Sequence, residues 1–423
     1  MSAIERRTRT CNRDRNPSSV TTVKGSKQIC IPLNPQQYKA IWHNPTAMRQ
    51  LLDRLIAESA ELFPPSIQHG YQLRGCLPES KKMPGIRLRQ IRLRSGVYSL
   101  RPSFVMSYMT GTVEQLELGM LLLSVNTPCW VVTQVCGRND MFWYRQLERL
   151  GRNSLVGSTV PQAKRLPTDL VADEHHCDWV GEKGYVAFTV AEGCILGASL
   201  SAAADEAHLS DAYGVFAQEA RLIDPDYEPE TVNTDGWSAT QNAFNRLFST
   251  ITPILCFLHG FLKIRERGRK LHELHKQIWQ VYRAESKDAF LQAMGAFKQW
   301  FDEREWRSNV TTAVEKLCNR AEQYAVSYDH KHCHRTSNMV DRLMNRLTRY
   351  LYAGRGVHGH QSSSERRLRG WSLLNNFRPF APRSGQQRLF NSPAHRLNQK
   401  QYHPHWLHNL QICAACQGFR GET

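Results

Sequence analysis

The sequence has no long hydrophobic run. Its most apolar stretch, ITPILCFLHGFL at 251–262, is shorter than the roughly 18–20 residues a helix needs to cross a bilayer, and it carries a histidine. No membrane partner is therefore expected. The marks of export are missing too: the opening MSAIERRTRTCNRDR is basic but has neither an apolar segment nor a small-residue cleavage site. Paired cysteines are scarce. Of twelve cysteines, Cys413 and Cys416 alone form a C-x-x-C pair, so the reading is a reducing, intracellular setting without a disulfide framework. The last shortage is of negative charge: 38 Asp and Glu stand against 55 Lys and Arg, a net charge of +17. Such a balance favours an acidic polymer as partner, nucleic acid before a membrane surface or a ribosomal assembly.

What is present suffices for two or three domains, since the chain has 423 residues of which 41% are hydrophobic. Residues 1–35 are polar and basic and read as a flexible arm. A DNA-binding region is expected over 36–160. It opens with helical spacing of Ile41, Met48, Leu51, Leu52, Leu55 and Ile56. A basic strand pair follows within 81–111, where Ile86, Leu88, Ile91 and Leu93 alternate with Arg87, Arg89, Arg92 and Arg94. Residues 113–150 read as three short helices with tight turns at Pro128 and Gly137, the third from about Asp140 to Leu150. That arrangement matches a helix-turn-helix-like module carrying Arg138, Arg145 and Arg149 toward a DNA groove. A helical subdomain with solvated arginines is the alternative.

Beyond a polar linker the pattern changes to α/β. LPTDLVADE, GYVAFTVAEG and CILGASLS read as strands, DEAHLSDAYGVFAQEARLI as a helix, TVNTD as a strand, SATQNAFNRLF as a helix and TPILCFL as a fifth strand. Residues 263–327 have apolar positions at three-to-four spacing throughout and predict an all-α insertion. The core, begun at 161–262, resumes over 328–385 with SNMVDRLMNRLTRYL as a helix, and 386–423 read as a polar, His-rich tail.

Two carboxylates stand out. Asp173 closes the apolar run LVAD of the strand expected at the centre of the sheet, where an ionised side chain must be paired or bind metal. Glu174 would face the opposite side of the same strand. Asp235 follows TVNT and precedes a glycine that permits a tight turn, the strand-end position where open α/β sheets place their sites. A satisfied turn carboxylate and a helix N-cap are the respective alternatives. Hard oxygen ligands of this kind suit Mg²⁺ or Mn²⁺ in a two-metal site for phosphodiester cleavage, with the metals about 3.5–4 Å apart.

The series VADEHH, VNTDGW, CFLH at 256–259, a helical insertion and TSNMVDRLMNRL at 336–347 resembles the DDE-type transposases of bacterial insertion sequences. It is especially similar to the branch that shares a C/D-x-x-H signature with Mutator-like elements. The resemblance covers roughly residues 110–385. It implies an RNase H-like catalytic core, whose element order the strands and helices above also follow, interrupted by the all-α insertion. It further implies Asp341 as the third acid beside Asp173 and Asp235, all three as metal ligands, and Cys256 with His259 as signature residues near the site. The family's third acid is usually Glu. This chain has Asp341 at the matching place, with Glu365 as the rival. The implied activity is metal-dependent cleavage that frees 3′-hydroxyls, followed by their attack on target DNA. The implied partners are the element's terminal inverted repeats, target DNA and a second copy in a homodimer or larger synaptic complex, in a bacterial, nucleoid-associated cytoplasmic setting. A non-catalytic DNA-binding descendant and another RNase H-like nuclease are the alternatives.

Eleven Arg and one Lys over 342–400, interleaved with Tyr350, Tyr352, Trp371, Phe377 and Phe380, predict phosphate contacts with base stacking. A solvated basic face is the plainer reading. His403, His405, His408, Cys413 and Cys416 include donors that zinc could use, at a spacing that matches no closed structural site.

Overall fold

Asparagine and proline set the first helices of the computed structural model, which describes residues 28–354, 356–382, 384–385 and 389–416. Strand β1 (Gln28–Ile31) leads into α1 (Pro35–Ile41) and α2 (Pro45–Glu58), each opened by an Asn whose side chain accepts backbone N–H bonds and by a Pro in the first turn. Strands β2 (Gln72–Cys76), β3 (Arg89–Leu93) and β4 (Gly96–Pro102) complete a four-stranded sheet in the order β1-β4-β3-β2, with β1 parallel to β4. The sheet and both helices share a core that includes Ile29, Trp42, Leu52, Ile91 and Tyr98.

Two expectations are corrected here. The arm cannot extend to residue 35, because β1 is buried and paired; residues 1–27 lie outside the described residues. The strand pair is part of four strands and begins at Arg89, leaving Ile86 and Leu88 outside it.

Helices α3 (Val113–Ser124), α4 (Cys129–Cys136) and α5 (Asp140–Leu150) form the expected trio, followed by short α6 (Leu155–Thr159). Then come β5 (Asp169–Trp179), β6 (Glu182–Ala191), β7 (Cys194–Ser201), α7 (Glu206–Arg221), β8 (Thr231–Thr234), α8 (Ser238–Leu247) and β9 (Thr252–Leu255). The five strands lie in the order β7-β6-β5-β8-β9. The first three are mutually antiparallel, and β8 and β9 run parallel to β5. Every described residue of β7, and most of β6, is buried, as expected of strands covered on both faces.

The insertion comprises α9 (Phe257–Arg267), α10 (His272–Tyr282), α11 (Lys287–Asp302), α12 (Ser308–Cys318) and α13 (Ala321–Ala325), packed around Phe257, Phe261, Phe290, Phe297 and Phe301. It starts at Phe257 rather than 263, because the segment after Leu255 turns helical at once. Helices α14 (Asn338–Ala353), α15 (Gln361–Phe377), α16 (Pro393–Asn398) and α17 (Trp406–Cys413) follow. No helix among the described residues is long and apolar enough to cross a membrane.

Two boundaries differ from the sequence reading. The trio α3–α5 shares one hydrophobic core with the five-stranded sheet, through Trp143, Leu147 and Leu150 on one side and Leu368, Trp371 and Leu374 of α15 on the other. Gly370 permits that approach: a Cβ there would lie 2.1 Å from the Leu147 carbonyl oxygen. Nor is the C-terminal segment a tail. Trp406, Leu407 and Leu410 of α17 enter the core of the five-stranded sheet, while Ile412 and Ala415 enter that of the four-stranded one.

Two polar clamps fasten these parts. The buried Arg101 donates through Nε to Gln28 Oε1 at 2.9 Å, through Nη1 to the Val105 carbonyl, and through Nη2 to the Gln411 carbonyl at 3.3 Å. Glu61 Oε1 accepts from Gln162 Nε2 (2.7 Å), Lys400 Nζ (2.8 Å) and the Tyr402 hydroxyl (2.7 Å). Burial pushes the Glu61 carboxyl up, but these donors outweigh burial and bring it down to about 2. A carboxyl depressed on folding stabilises the protein above its unfolded pKa, and that contribution is lost as pH falls through the folded value. Glu61→Gln is expected to cost about 1–2 kcal/mol at neutral pH after solvent screening. Urea melts of both proteins should show the difference shrinking from about pH 4.5 downward; a gap independent of pH would show that the charge contributes nothing.

Candidate active site

Side chains alternate along β5, so Asp173 and His175 face the side covered by α14, and Glu174 faces the side covered by α7 and α8. Asp173 sits mid-strand opposite Phe188 rather than at a strand end, because β5 continues to Trp179. On the other face, Glu174 Oε1 accepts from the Tyr213 hydroxyl at 2.5 Å and from Thr240 Oγ1 at 2.7 Å. These bonds hold a largely buried carboxylate that no metal need explain.

Two helix starts meet the Asp173 face. Cys256 is the N-cap residue of α9, which places His259 in its first turn; Ser337 is the N-cap residue of α14, which places Asp341 in its first turn. The starts are tied together. The Ser337 N–H donates to Cys256 Sγ (3.2 Å), the Phe257 N–H donates to the Arg335 carbonyl (3.2 Å), and Asn233 Nδ2 of β8 donates to the His334 carbonyl (2.8 Å). Ser337 Oγ then donates to Asp341 Oδ2 at 3.0 Å and lies 3.5 Å from His259 Nδ1.

The result is a cluster from three elements distant in sequence: one ligand atom each of Asp173, His259 and Asp341, all within 4.8 Å of one another. Among the described residues it is the one group of three or more potential metal-ligating side chains this close. Burial and the Glu174 carboxylate push the Asp173 carboxyl well above the usual carboxylate range; Asp235 adds to this and His259 opposes it. His259 is raised, first by its hydrogen bond with Cys256, with burial opposing and Asp173 and Asp341 adding their charge. Burial would raise the Cys256 thiol, but His259 and Ser337 bring it below its ordinary value. The pair Cys256 and His259 is therefore part of the cluster's wiring, and His259 is a member of the cluster.

Asp235 follows β8, where Gly236 at φ +89° turns the chain and the Trp237 N–H donates to Asp235 Oδ1 at 2.8 Å. It lines the same cleft as His259 and is close enough to raise the Asp173 carboxyl, but it is not in the 4.8 Å group. Glu365 is placed differently again. Its carboxylate accepts the Leu200 N–H at 3.1 Å, on β7, two strands away from β5 and about 10 Å across the sheet. Asp341, not Glu365, thus joins Asp173.

The other candidates separate by exposure. Arg145, Arg92, Arg94, Arg138 and Arg87 are exposed. Arg138 lies over the Phe142 ring at 5.4 Å, half-buried Arg149 lies over Tyr108 at 5.5 Å, and Arg87 faces Glu79 at 3.7 Å. Arg89 is corrected: it is buried, and its Nε donates to the Trp42 carbonyl at 2.9 Å, which makes it a core crosslink. The stacking platform at 342–400 is corrected as well. Trp371 and Phe377 are core residues and Tyr350 stacks on Trp371 at 5.1 Å, which leaves Tyr352 as the exposed ring. The rings of His403 and His408 stack 4.3 Å apart, His408 Nδ1 meets Ser103 Oγ (3.0 Å) and His405 Nε2 meets Glu117 (3.0 Å). The donors at 403–416 form no such close group.

No family model matches this sequence, and no curated protein matches it. The site therefore rests on its own chemistry. Two carboxylates from separate elements are oxygen donors that Mg²⁺ or Mn²⁺ accepts, and His259, raised to about 9, stands beside them as a cation rather than as a ligand. Mn²⁺ binding followed by electron paramagnetic resonance is expected to be lost in Asp173→Asn and Asp341→Asn. It should weaken about 10–100-fold in Ser337→Ala, which frees Asp341, and stay unchanged in Glu365→Gln. Binding that survives both aspartate substitutions would remove the cluster as a metal site.

Proposed function

We propose that this protein is a DNA transposase of the DDE type, with an aspartate as third acid, working on an RNase H-like core. The observation that carries the reading is the convergence of Asp173, from the first core strand, with Asp341, from the helix after the all-α insertion, beside His259 of the C-x-x-H segment. These are three of the elements the resemblance names; the fourth, Asp235, lines the adjacent cleft. The strand order β7-β6-β5-β8-β9, three antiparallel strands followed by two parallel to the first, supports the RNase H-like assignment. The net charge of +17 suits a polyanionic substrate.

In this reading Asp173 and Asp341 would hold the divalent ions, with Asp235 at the end of β8 as the third carboxylate. Bound ions supply stabilisation of the attacking and leaving oxygens of the phosphodiester. Ser337 fixes the Asp341 carboxylate by its hydrogen bond, and a protonated His259 balances the carboxylates around it. Exposed Arg145, Arg92 and Arg94 contribute phosphate contacts, and a pair of chains holds the two element ends.

The test is Mg²⁺- or Mn²⁺-dependent nicking of duplexes carrying the inverted repeats that flank the coding sequence. Asp173→Asn and Asp341→Ala should bind these duplexes with wild-type affinity and cut at background level, while Glu365→Ala keeps most activity. Equal cutting of random duplexes without strand transfer would make the protein a different nuclease. Wild-type protein that binds the repeats without ever cutting them would make it a DNA-binding descendant.

A further inference from the structure

A cleft of about 230 Å³ opens beside the acid cluster, between α9 and α12 of the insertion, with Asp235 and His259 at one end. Leu317 and Tyr324 form part of its wall, and Lys263, Arg267, Lys316 and Arg320 line it. His259, Lys263 and Arg267 follow one another at four-residue spacing, so they form a single stripe on α9 that runs outward from the site. Eight residues at 1.5 Å each make the stripe about 12 Å long.

The charges in this cleft are not balanced by the protein. None of Lys263, Arg267, Lys316 and Arg320 forms an ion pair among the described residues, and Asp235 is the one carboxylate on the lining. Elsewhere on the insertion Lys287 meets Asp329 at 2.6 Å, Lys298 meets Asp302 and Arg304 meets Glu303 at 3.7 Å, and the cations that lack an acid among the described residues, such as Lys276 and Arg283, do not line this cleft; what sets the four apart is that they share it. Four like charges gathered around one cleft repel one another, and a polyanion removes that cost. A volume of this size admits a stretch of one sugar-phosphate backbone but not a paired duplex.

We infer that this cleft binds the sugar-phosphate backbone of a single DNA strand next to the scissile phosphate, along the stripe of α9. The insertion is then part of the substrate site. Its cations hold the strand by its phosphates, independent of sequence, and set which phosphodiester lies against Asp173 and Asp341. The inference rests on the proposed DNA-processing role.

The experiment uses the full chain and fluorescein-labelled oligonucleotides, single-stranded and duplex with a single-stranded end, titrated by anisotropy between about 50 and 200 mM salt. Lys316→Gln/Arg320→Gln is compared with the charge-matched Lys276→Gln/Arg283→Gln on and just after α10, outside the cleft. The first pair should weaken binding at least about tenfold and flatten the log–log salt slope by about 1.4–1.8; the second should do neither. In wild-type protein the same DNA should protect Lys263 and Lys316 from acetylation, a readout that does not depend on a variant folding. Equal effects of the two double variants, or Lys263 and Lys316 acetylated alike with and without DNA, would overturn the cleft while leaving DNA processing intact. Wild-type protein that binds neither oligonucleotide would overturn both.

Discussion

A carboxylate in the middle of a central strand is expensive, and the five-stranded half of this molecule is organised around that expense. Asp173 cannot move away, because β5 is held between β6 and β8 and the sheet is covered on both faces. Nor can it be left alone, since an unpaired buried charge costs several kcal/mol. Two helix starts therefore face it, with an imidazole from one and a hydroxyl-anchored carboxylate from the other. Burial and the neighbouring Glu174 and Asp235 carboxylates raise the electrostatic cost further, as the displaced Asp173 carboxyl records. A site that concentrates negative charge in this way is poised to take up cations.

The same strand carries a second acid on its other face, and the contrast between them is instructive. Glu174 is buried as deeply, but Tyr213 and Thr240 donate to it directly, so it is satisfied within the protein. Neighbouring residues of one strand thus have opposite fates, decided by the elements packed on each face.

Much of this was legible in the sequence. Apolar runs marked β6 and β7, Gly and Pro marked the turns of the α3–α5 trio, and the order of acids and C-x-x-H pointed to Asp173, Asp341 and His259, though it also put Asp235 in the group. What was not legible depends on long-range packing. The sequence could not show that Arg89 turns inward to the Trp42 carbonyl, because an arginine in a basic strand looks the same in either orientation. Trp371 and Phe377 looked like a stacking surface until α3 and α5 covered them. The polar composition of 386–416 hid α17, whose few apolar residues are divided between two cores. The four-residue spacing of Lys263 and Arg267 passed unread among the apolar positions of the insertion, and its counterpart on α12 is brought opposite by the fold alone.

Arg101 has a consequence for the order in which the chain matures. Its guanidinium draws on Gln28, on Val105 and on Gln411, the last of these 310 positions further along. Ile412 and Ala415 also fill the core of the four-stranded sheet. During synthesis from the N-terminus, that sheet exists for most of the translation time with a buried cation lacking one acceptor and with a hydrophobic face uncovered. It becomes a closed unit once α17 is in place, so a sheet that begins with Gln28 is locked by residues more than 300 positions later.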